Sequence, residues 1–186
     1  MSDNVRAFLS IDIDDQSLLS RIEQIQQRLD QKAAKMKLVE INNIHFTLRF
    51  FGDTKLDRIN VIKNQLDRIT VEPFEIEIEG VGAFPNRRRP RVVWIGVRRN
   101  GEQVRSLKLE IDSLLEDLGY QSEKRKYTPH ATIARVRHVK DSRKIVDNLE
   151  ELVDEAIGPM TISGFTMKKS TLTPSGPIYD TLWRIE

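Results

Sequence analysis

The chain has 186 residues, of which 39% are apolar and 31% charged, and its net charge is +2. This composition predicts a folded, water-soluble protein and excludes a disordered chain or a bundle of membrane spans. The lack of cysteine excludes disulfides, thiolate nucleophiles and cysteine-ligated metal sites, and it fits a cytoplasmic location. Residues 1–4 lead straight into a strand pattern, without the basic and apolar segments of a signal peptide.

The first half of the sequence alternates between strand and helix patterns. Apolar residues at every second position over 5–13 predict a strand, and Asp14-Asp15 then offers the N-cap of a helix. Further along, the spacing of apolar residues predicts a helix to position 29, strands over 38–40 and 44–51, a helix over 57–69 and a strand over 74–79. Gly52-Asp53 is expected to close the second of these strands.

The second half follows a similar order. The patterns predict a strand over 91–97, a helix over 104–118, a strand over 131–136, a helix over 142–156 ended by Gly158-Pro159, and strands over 161–172 and 178–185 joined by a turn. Helices packed on sheet faces in both halves predict an α+β fold. We expect residues 1–186 to form one domain of two pseudo-symmetric lobes around a shared cleft.

Two of the three histidines lie in matching contexts, nearly half the chain apart. They are His45-Phe46-Thr47-Leu48 and His130-Ala131-Thr132-Ile133. On a strand, alternate side chains face the same side, so each histidine projects together with the threonine two residues later. The residues between them are apolar and face a core. Each motif is therefore a polar pair on an apolar-backed strand.

Such a pair of motifs suits phosphoryl chemistry. Imidazole titrates near neutrality, so one histidine can accept a proton while the other donates one. A threonine hydroxyl beside each can donate to a phosphate oxygen. A strained cyclic phosphodiester fits this arrangement, and no metal is needed if the leaving oxygen is protonated as it departs. Each strand thus supplies half of one expected site.

Several alternatives stay open from the residues alone. Two histidines could ligate zinc, although no third ligand lies at short spacing. His138 is expected to be an exposed surface residue. The basic runs at residues 87–91 and 124–126 could line a phosphate-binding surface or be solvated loops.

The sequence resembles the two-histidine (2H) phosphoesterase family, and within it the archaeal and bacterial RNA 2′,3′-cyclic phosphodiesterases, formerly called 2′-5′ RNA ligases. The likeness rests on both His-x-Thr motifs together with four further segments. These are the opening strand over 5–11, Phe51-Gly52, the strand over 91–97, and Gly176-Pro177-Ile178-Tyr179. It extends over essentially the whole chain.

The resemblance implies two lobes of antiparallel sheet with outer helices around a central cleft. It also implies opening of a terminal 2′,3′-cyclic phosphate to a 2′-phosphomonoester without metal or cofactor. Carried over by position, His45 is the proton donor, His130 the proton acceptor, and Thr47, Thr132 and Arg135 bind the phosphate. Strict alternation gives Arg135 the parity opposite to His130, so its role needs a bulge or a strand end there.

Three other residues are candidates for the lining of the cleft. Arg49 shares parity with His45 and is a candidate for the cleft face. Phe8 and Phe51 could shape a nucleobase site, although core packing is the expected role of each. The expected partner is RNA with cyclic phosphate ends, including tRNA halves, acted on by a monomer away from membranes. Competing functions are 2′-5′ RNA ligation at the same site and nucleotide or RNA binding without turnover.

Overall fold

A single nine-stranded antiparallel sheet organises residues 4–186, the part of the chain described by this computed structural model. The strand order is β7-β4-β5-β6-β3-β1-β8-β9, and β2 also pairs with β6. The strands are β1 (Asn4–Asp12), β2 (Ala34–Leu38), β3 (His45–Lys55), β4 (Phe74–Phe84), β5 (Val92–Arg99), β6 (His130–Val139), β7 (Ala156–Ile162), β8 (Phe165–Thr173) and β9 (Gly176–Ile185). The prediction that residues 1–4 lack the features of a signal peptide falls mainly on residues 1–3, which lie outside the described residues.

Four α-helices pack on this sheet: α1 (Gln16–Arg28), α2 (Leu56–Leu66), α3 (Gly101–Glu116) and α4 (Ser142–Glu151). The predicted N-cap of α1 is confirmed, since the Asp15 carboxylate accepts hydrogen bonds from the backbone N–H groups of Ser17 and Leu18. Buried apolar residues of the helices and strands form one continuous core cluster. Within residues 4–186, no helix is long and apolar enough to cross a membrane.

The sheet consists of two halves that meet between β3 and β6. One half is β3-β1-β8-β9, and the other is β7-β4-β5-β6 with β2 paired to β6. The chain crosses between the halves four times, because β2 and β4 pair with strands of the second half whereas β3 and β8 pair with β1 of the first. The predicted α+β class with two lobes is thus confirmed, and the first half combines strands from both ends of the chain.

The segment over 156–162 differs from the sequence prediction. The helix predicted to reach residue 156 ends at Glu151, and residues 156–162 form strand β7. Pro159 misled the prediction because proline usually interrupts regular structure. It is tolerated here because β7 lies at the edge of the sheet, where a strand can lack one N–H donor.

Strand β3 also runs further than predicted. Gly52 was expected to close it, but β3 continues to Lys55 and pairs with β1 along its length. Gly52 adopts a φ of +68°, which few residues other than glycine reach without strain. The glycine therefore bends the strand without ending it.

Candidate active site

The two His-x-Thr motifs lie side by side where the halves of the sheet meet. Phe46 of β3 and Ala131 of β6 are antiparallel partners, and both are buried. Alternation turns the histidine and threonine of each motif to the opposite face of the sheet. Continuing the antiparallel register by one residue in each direction sets each histidine opposite the threonine of the other motif. The predicted convergence of the two motifs is therefore confirmed.

Both histidine rings are held in the same way. Nδ1 of His45 lies 2.8 Å from the carbonyl oxygen of Asn43, and Nδ1 of His130 lies 2.7 Å from that of Thr128. A carbonyl only accepts, so each Nδ1 carries the proton and donates it. Nε2 of each ring is then the atom that gains or loses a proton. Nε2 of His45 lies 3.0 Å from the Thr47 hydroxyl, which donates to it when the ring is neutral.

Each motif strand contains a β-bulge directly after its threonine. The register of β3 against β1 shifts after Thr47, which leaves Leu48 without a partner in β1. The register of β6 against β5 shifts after Thr132, which leaves Ile133 without a partner in β5. An extra residue in one strand reverses the facing of all residues beyond it. The two bulges thus determine which later side chains reach the motif face.

The bulge in β6 turns Arg135 to the face of His130. Ile133 and Ala134 are both fully buried, and Arg135 after them is exposed. The bulge that its role required is therefore present. Burial is the main cause of the lowered pKa of His45 and of the raised pKa of Tyr179. The charge of Arg135 adds to the first shift and opposes the second.

The bulge in β3 has the opposite consequence for Arg49. The expectation that Arg49 faces the cleft is wrong, because the bulge turns its side chain to the core side. There its guanidinium donates to the Asp112 carboxylate at 2.9 Å. Phe50 takes the position on the motif face instead, with 64% of its surface exposed. Phe50 and Arg135 occupy equivalent positions, because each lies five residues after the histidine of its motif.

Aromatic and charged groups surround His45. The ring centroids of Phe8 and Tyr179 lie 5.0 and 5.4 Å from the imidazole centroid. Lys168 and Asp12 form an ion pair of 2.8 Å beside it. Burial lowers the pKa of His45 below its usual range, and the charges of Lys168 and Arg135 lower it further. The Asn43 carbonyl and the Asp12 carboxylate oppose this shift.

His130 has its own pair of aromatic neighbours. Its ring centroid lies 5.0 Å from that of Phe84 and 6.0 Å from that of Trp94. The Trp94 indole lies over Gly82, where a Cβ atom would come within 2.2 Å of the ring. Only glycine at position 82 leaves room for this ring. Each histidine thus stands beside two aromatic side chains from its own half of the sheet.

Behind the motif face lies a buried cluster of charges. Lys108 and Arg49 both form ion pairs with Asp112. None of the three residues is more than 9% exposed. Arg49 also donates to the carbonyl of Gln121 at 2.7 Å. The Tyr127 hydroxyl donates to the carbonyl of Thr47 at 2.9 Å. These bonds tie the segment leading to His130 onto the strand that carries His45.

Removing Arg49 is expected to destabilise the fold. The Arg49→Ala variant loses its hydrogen bonds to Asp112 and to the Gln121 carbonyl. Lys108 still compensates the buried Asp112, so the loss should stay below the cost of about 3–5 kcal/mol for a buried charge left without a partner. Urea unfolding measures the change in the free energy of unfolding. Lys63→Ala is the matched control, because Lys63 pairs with Asp67 at an exposed site where such a pair contributes about 0–1 kcal/mol. Equal losses in the two variants would contradict the structural role of Arg49.

Of the other residues considered from the sequence, some lie beside the two motif histidines and others do not. Phe8 is buried as expected and also lines the wall behind His45, whereas Phe51 packs against Tyr120 at 5.2 Å, away from the histidines. His138 is exposed, as predicted. Among residues 4–186, no group of three or more His, Asp or Glu side chains is placed to hold a metal ion.

Sequence reasoning gave no role to several residues of the site. Tyr179 and Trp94 entered only as parts of matching segments, and Asp12, Lys168 and Phe84 were not singled out. Each reaches the histidines through pairing between distant strands, which leaves no local signal. Alternation shows which residues share a face within β4 and within β5, but only the register of the two strands brings Phe84 and Trp94 to one face beside His130.

Comparison with known proteins agrees with this geometry. A family model described as LigT-like phosphoesterase matches residues 11–94 and 95–179, two consecutive segments that each contain one His-x-Thr motif. A Methanothermobacter thermautotrophicus protein named RNA 2′,3′-cyclic phosphodiesterase is 43% identical over 179 residues, covering 94% of this chain and 95% of its own. An Archaeoglobus fulgidus protein of the same name is 37% identical, covering 96% of this chain and 98% of its own.

Solved structures show the same fold. Escherichia coli LigT complexed with 3′-AMP superposes with a TM-score of 0.78 at 20% identity, covering 97% of each chain. A Thermus thermophilus protein superposes with a TM-score of 0.76 at 22% identity, covering 97% of this chain and 96% of its own. The full-length relatives, the family match in both halves and the paired motifs lead to one conclusion. The chain belongs to the LigT-like phosphoesterase family, the two-histidine phosphoesterases.

Proposed function

We propose that this enzyme hydrolyses the terminal 2′,3′-cyclic phosphate of RNA to a 2′-phosphomonoester. The observation that carries the proposal is the placement of two matching His-x-Thr pairs on one face, where β3 and β6 meet. Each histidine has Nδ1 engaged by a carbonyl and Nε2 left to exchange protons. The full-length relatives named RNA 2′,3′-cyclic phosphodiesterase support the same substrate.

The reaction adds one water molecule across one P–O bond. Nε2 of His130 accepts a proton from water as its oxygen attacks phosphorus in line with the 3′ oxygen. The bond from phosphorus to that oxygen breaks, and Nε2–H of His45 protonates it as a 3′ hydroxyl. The scheme uses no metal and no cofactor, because the departing oxygen leaves protonated.

The remaining polar groups of the face bind the phosphate. The Thr47 and Thr132 hydroxyls donate to its non-bridging oxygens. Thr47 gives up its hydrogen bond to His45 to do so, which frees Nε2 of that ring for the leaving oxygen. Arg135 supplies positive charge where negative charge accumulates in the transition state. Both halves of the sheet contribute to this one site, so we treat residues 1–186 as one functional domain.

The lowered pKa of His45 has to be reconciled with an acid role. In the free enzyme, burial and two neighbouring cations favour the neutral ring. A bound phosphodiester brings a negative charge next to the imidazole, and an opposite charge within about 4–6 Å raises the pKa of a histidine. Substrate binding thereby restores the protonated form that the reaction needs.

The wider biological setting extends this proposal. We expect the natural substrates to include the cyclic phosphate ends of tRNA halves, and the protein to act as a monomer in the cytoplasm. Ligation forming a 2′-5′ bond is the same ring opening with the 5′ hydroxyl of another RNA end in place of water, so it uses the same groups. Water at high concentration favours hydrolysis as the net direction.

One experiment tests the reaction and its regiochemistry. An oligoribonucleotide ending in a 2′,3′-cyclic phosphate is incubated with protein treated with chelator, and the product end is identified by chromatography. The expected product carries a 2′-phosphate and a 3′ hydroxyl. A 3′-phosphate product would reverse the assigned leaving oxygen, and tight binding without any product would identify a binding module instead.

A further inference from the structure

A ribbon of two strands carries a row of basic side chains beside the motif face. It consists of β2 and the C-terminal part of β6, and we call it the basic ribbon. Its cations are Lys35, Lys37, Arg135 and Arg137. All four are exposed, and none of them forms a salt bridge with any residue in the described range 4–186.

Two of these cations directly oppose each other. Lys37 and Arg135 are antiparallel partners in the register of β2 and β6. Side chains at such positions share a face with Cβ atoms about 4.5–5.5 Å apart, and like charges there are destabilising. No carboxylate of the described chain relieves this repulsion through an ion pair. An anion bound between the two cations would relieve it.

The basic ribbon is continuous with the site. Arg135 follows Thr132 by three residues on β6, and its charge adds to the lowering of the His45 pKa by burial. The Lys37 ammonium donates to the carbonyl of Ser175 at 2.6 Å, in the turn between β8 and β9. This contact holds Lys37 close to the strand that carries Tyr179, the neighbour of His45. The other two cations lie further from the histidines along the same strands.

We propose that the basic ribbon binds the RNA backbone phosphates that precede the terminal cyclic phosphate. The inference rests on the proposed function, which fixes the RNA end between the two histidines. A strand advances about 3.3 Å per residue, so Lys35 and Lys37 are about 6.6 Å apart along it. This separation is comparable with one nucleotide step of a single strand. The polynucleotide is the anion whose last phosphate the adjacent site already holds.

This surface gives the enzyme a preference for polymer ends over small cyclic nucleotides. A cyclic mononucleotide fills the site but has no phosphate to place on the ribbon. An oligonucleotide fills both. Each phosphate neutralised on a single strand makes the slope of log affinity against log salt concentration steeper by about 0.7. Salt should therefore weaken the oligonucleotide more than the mononucleotide.

The test compares two substrates and two double variants. We would measure kcat/KM for a 2′,3′-cyclic mononucleotide and for a six-nucleotide RNA ending in a cyclic phosphate, over a series of salt concentrations. In the double variant Lys35→Gln with Arg137→Gln, the slope of log kcat/KM for the RNA against log salt concentration should become less steep by about 0.7 per cation removed. Hydrolysis of the mononucleotide should be unchanged. Lys63→Gln with Arg68→Gln removes the same charge at α2 and just beyond it, and should behave like the native protein.

The outcomes distinguish the ribbon from the proposed function. Equal losses on both substrates, or an unchanged salt dependence for the RNA, would overturn the ribbon. Failure of the native protein to open either cyclic phosphate would overturn the proposed function. Fluorescence anisotropy with the labelled six-nucleotide RNA measures ribbon binding independently of turnover. If a polyaspartate peptide bound as tightly and with the same dependence on Lys35 and Arg137, the ribbon would be a general anion surface and its assignment to RNA would be wrong.

Discussion

The His45→Ala and His130→Ala variants are each expected to lose hydrolysis of the cyclic phosphate by about 10²–10⁴-fold, the usual contribution of a general acid or base. His130→Ala removes the group that accepts the proton of water, and His45→Ala removes the group that protonates the 3′ oxygen. Neither ring lies in the apolar core, so both variants should fold. Initial rates on a cyclic mononucleotide measure the effect.

The third histidine supplies the matched control. His138 is exposed and lies beyond the bulge of the second motif, so His138→Ala should keep the native rate on the cyclic mononucleotide. Circular dichroism and thermal unfolding establish that all three variants are folded. Near-native turnover by either His45→Ala or His130→Ala, in a folded protein, would mean that the acid–base pair is wrongly assigned.

The pH dependence of kcat/KM should be bell-shaped, because the reaction needs one protonated and one neutral histidine. Burial holds the pKa of His45 below the usual value of about 6.5 in the free enzyme. One limb of the profile should therefore lie below about pH 6.5. Bound phosphate raises this pKa, so the same limb of the kcat profile should lie at higher pH than in the kcat/KM profile.

The charge of Arg135 offers a check on the limb assigned to His45. Arg135 lowers the pKa of His45 in addition to burial, so Arg135→Gln should move that limb to higher pH, whatever it does to the maximal rate. A profile in which both limbs stay in place in this variant would contradict the assignment. Because the two histidines share one site, the limbs are described as apparent values of the pair.

Much of the site could be read from local pattern. His45 and His130 stood out as two of three histidines in matching four-residue contexts, and alternation placed each with its threonine. A periodicity of two is a property of any extended strand, so this inference needs no partner strand. The proton-transfer chemistry followed from the residue types.

The facing of Arg49 and Arg135 could not be read in the same way. Strict alternation placed Arg49 with the histidines and Arg135 away from them, and the structure reverses both. Each reversal comes from one unpaired residue, Leu48 or Ile133. A bulge depends on the partner strand, and nothing in the residues of the bulged strand alone specifies it.

Sequence by itself thus determined the α+β class, the two His-x-Thr strands and the face that each histidine shares with its threonine, because hydrophobic periodicity is local. Tertiary structure alone decided that Phe46 and Ala131 bring the motifs together, and that Tyr179 and Trp94 stand beside the histidines. It also made Lys37 and Arg135 antiparallel partners. Those contacts depend on which strands pair and in what register, and that is settled by packing across the whole sheet.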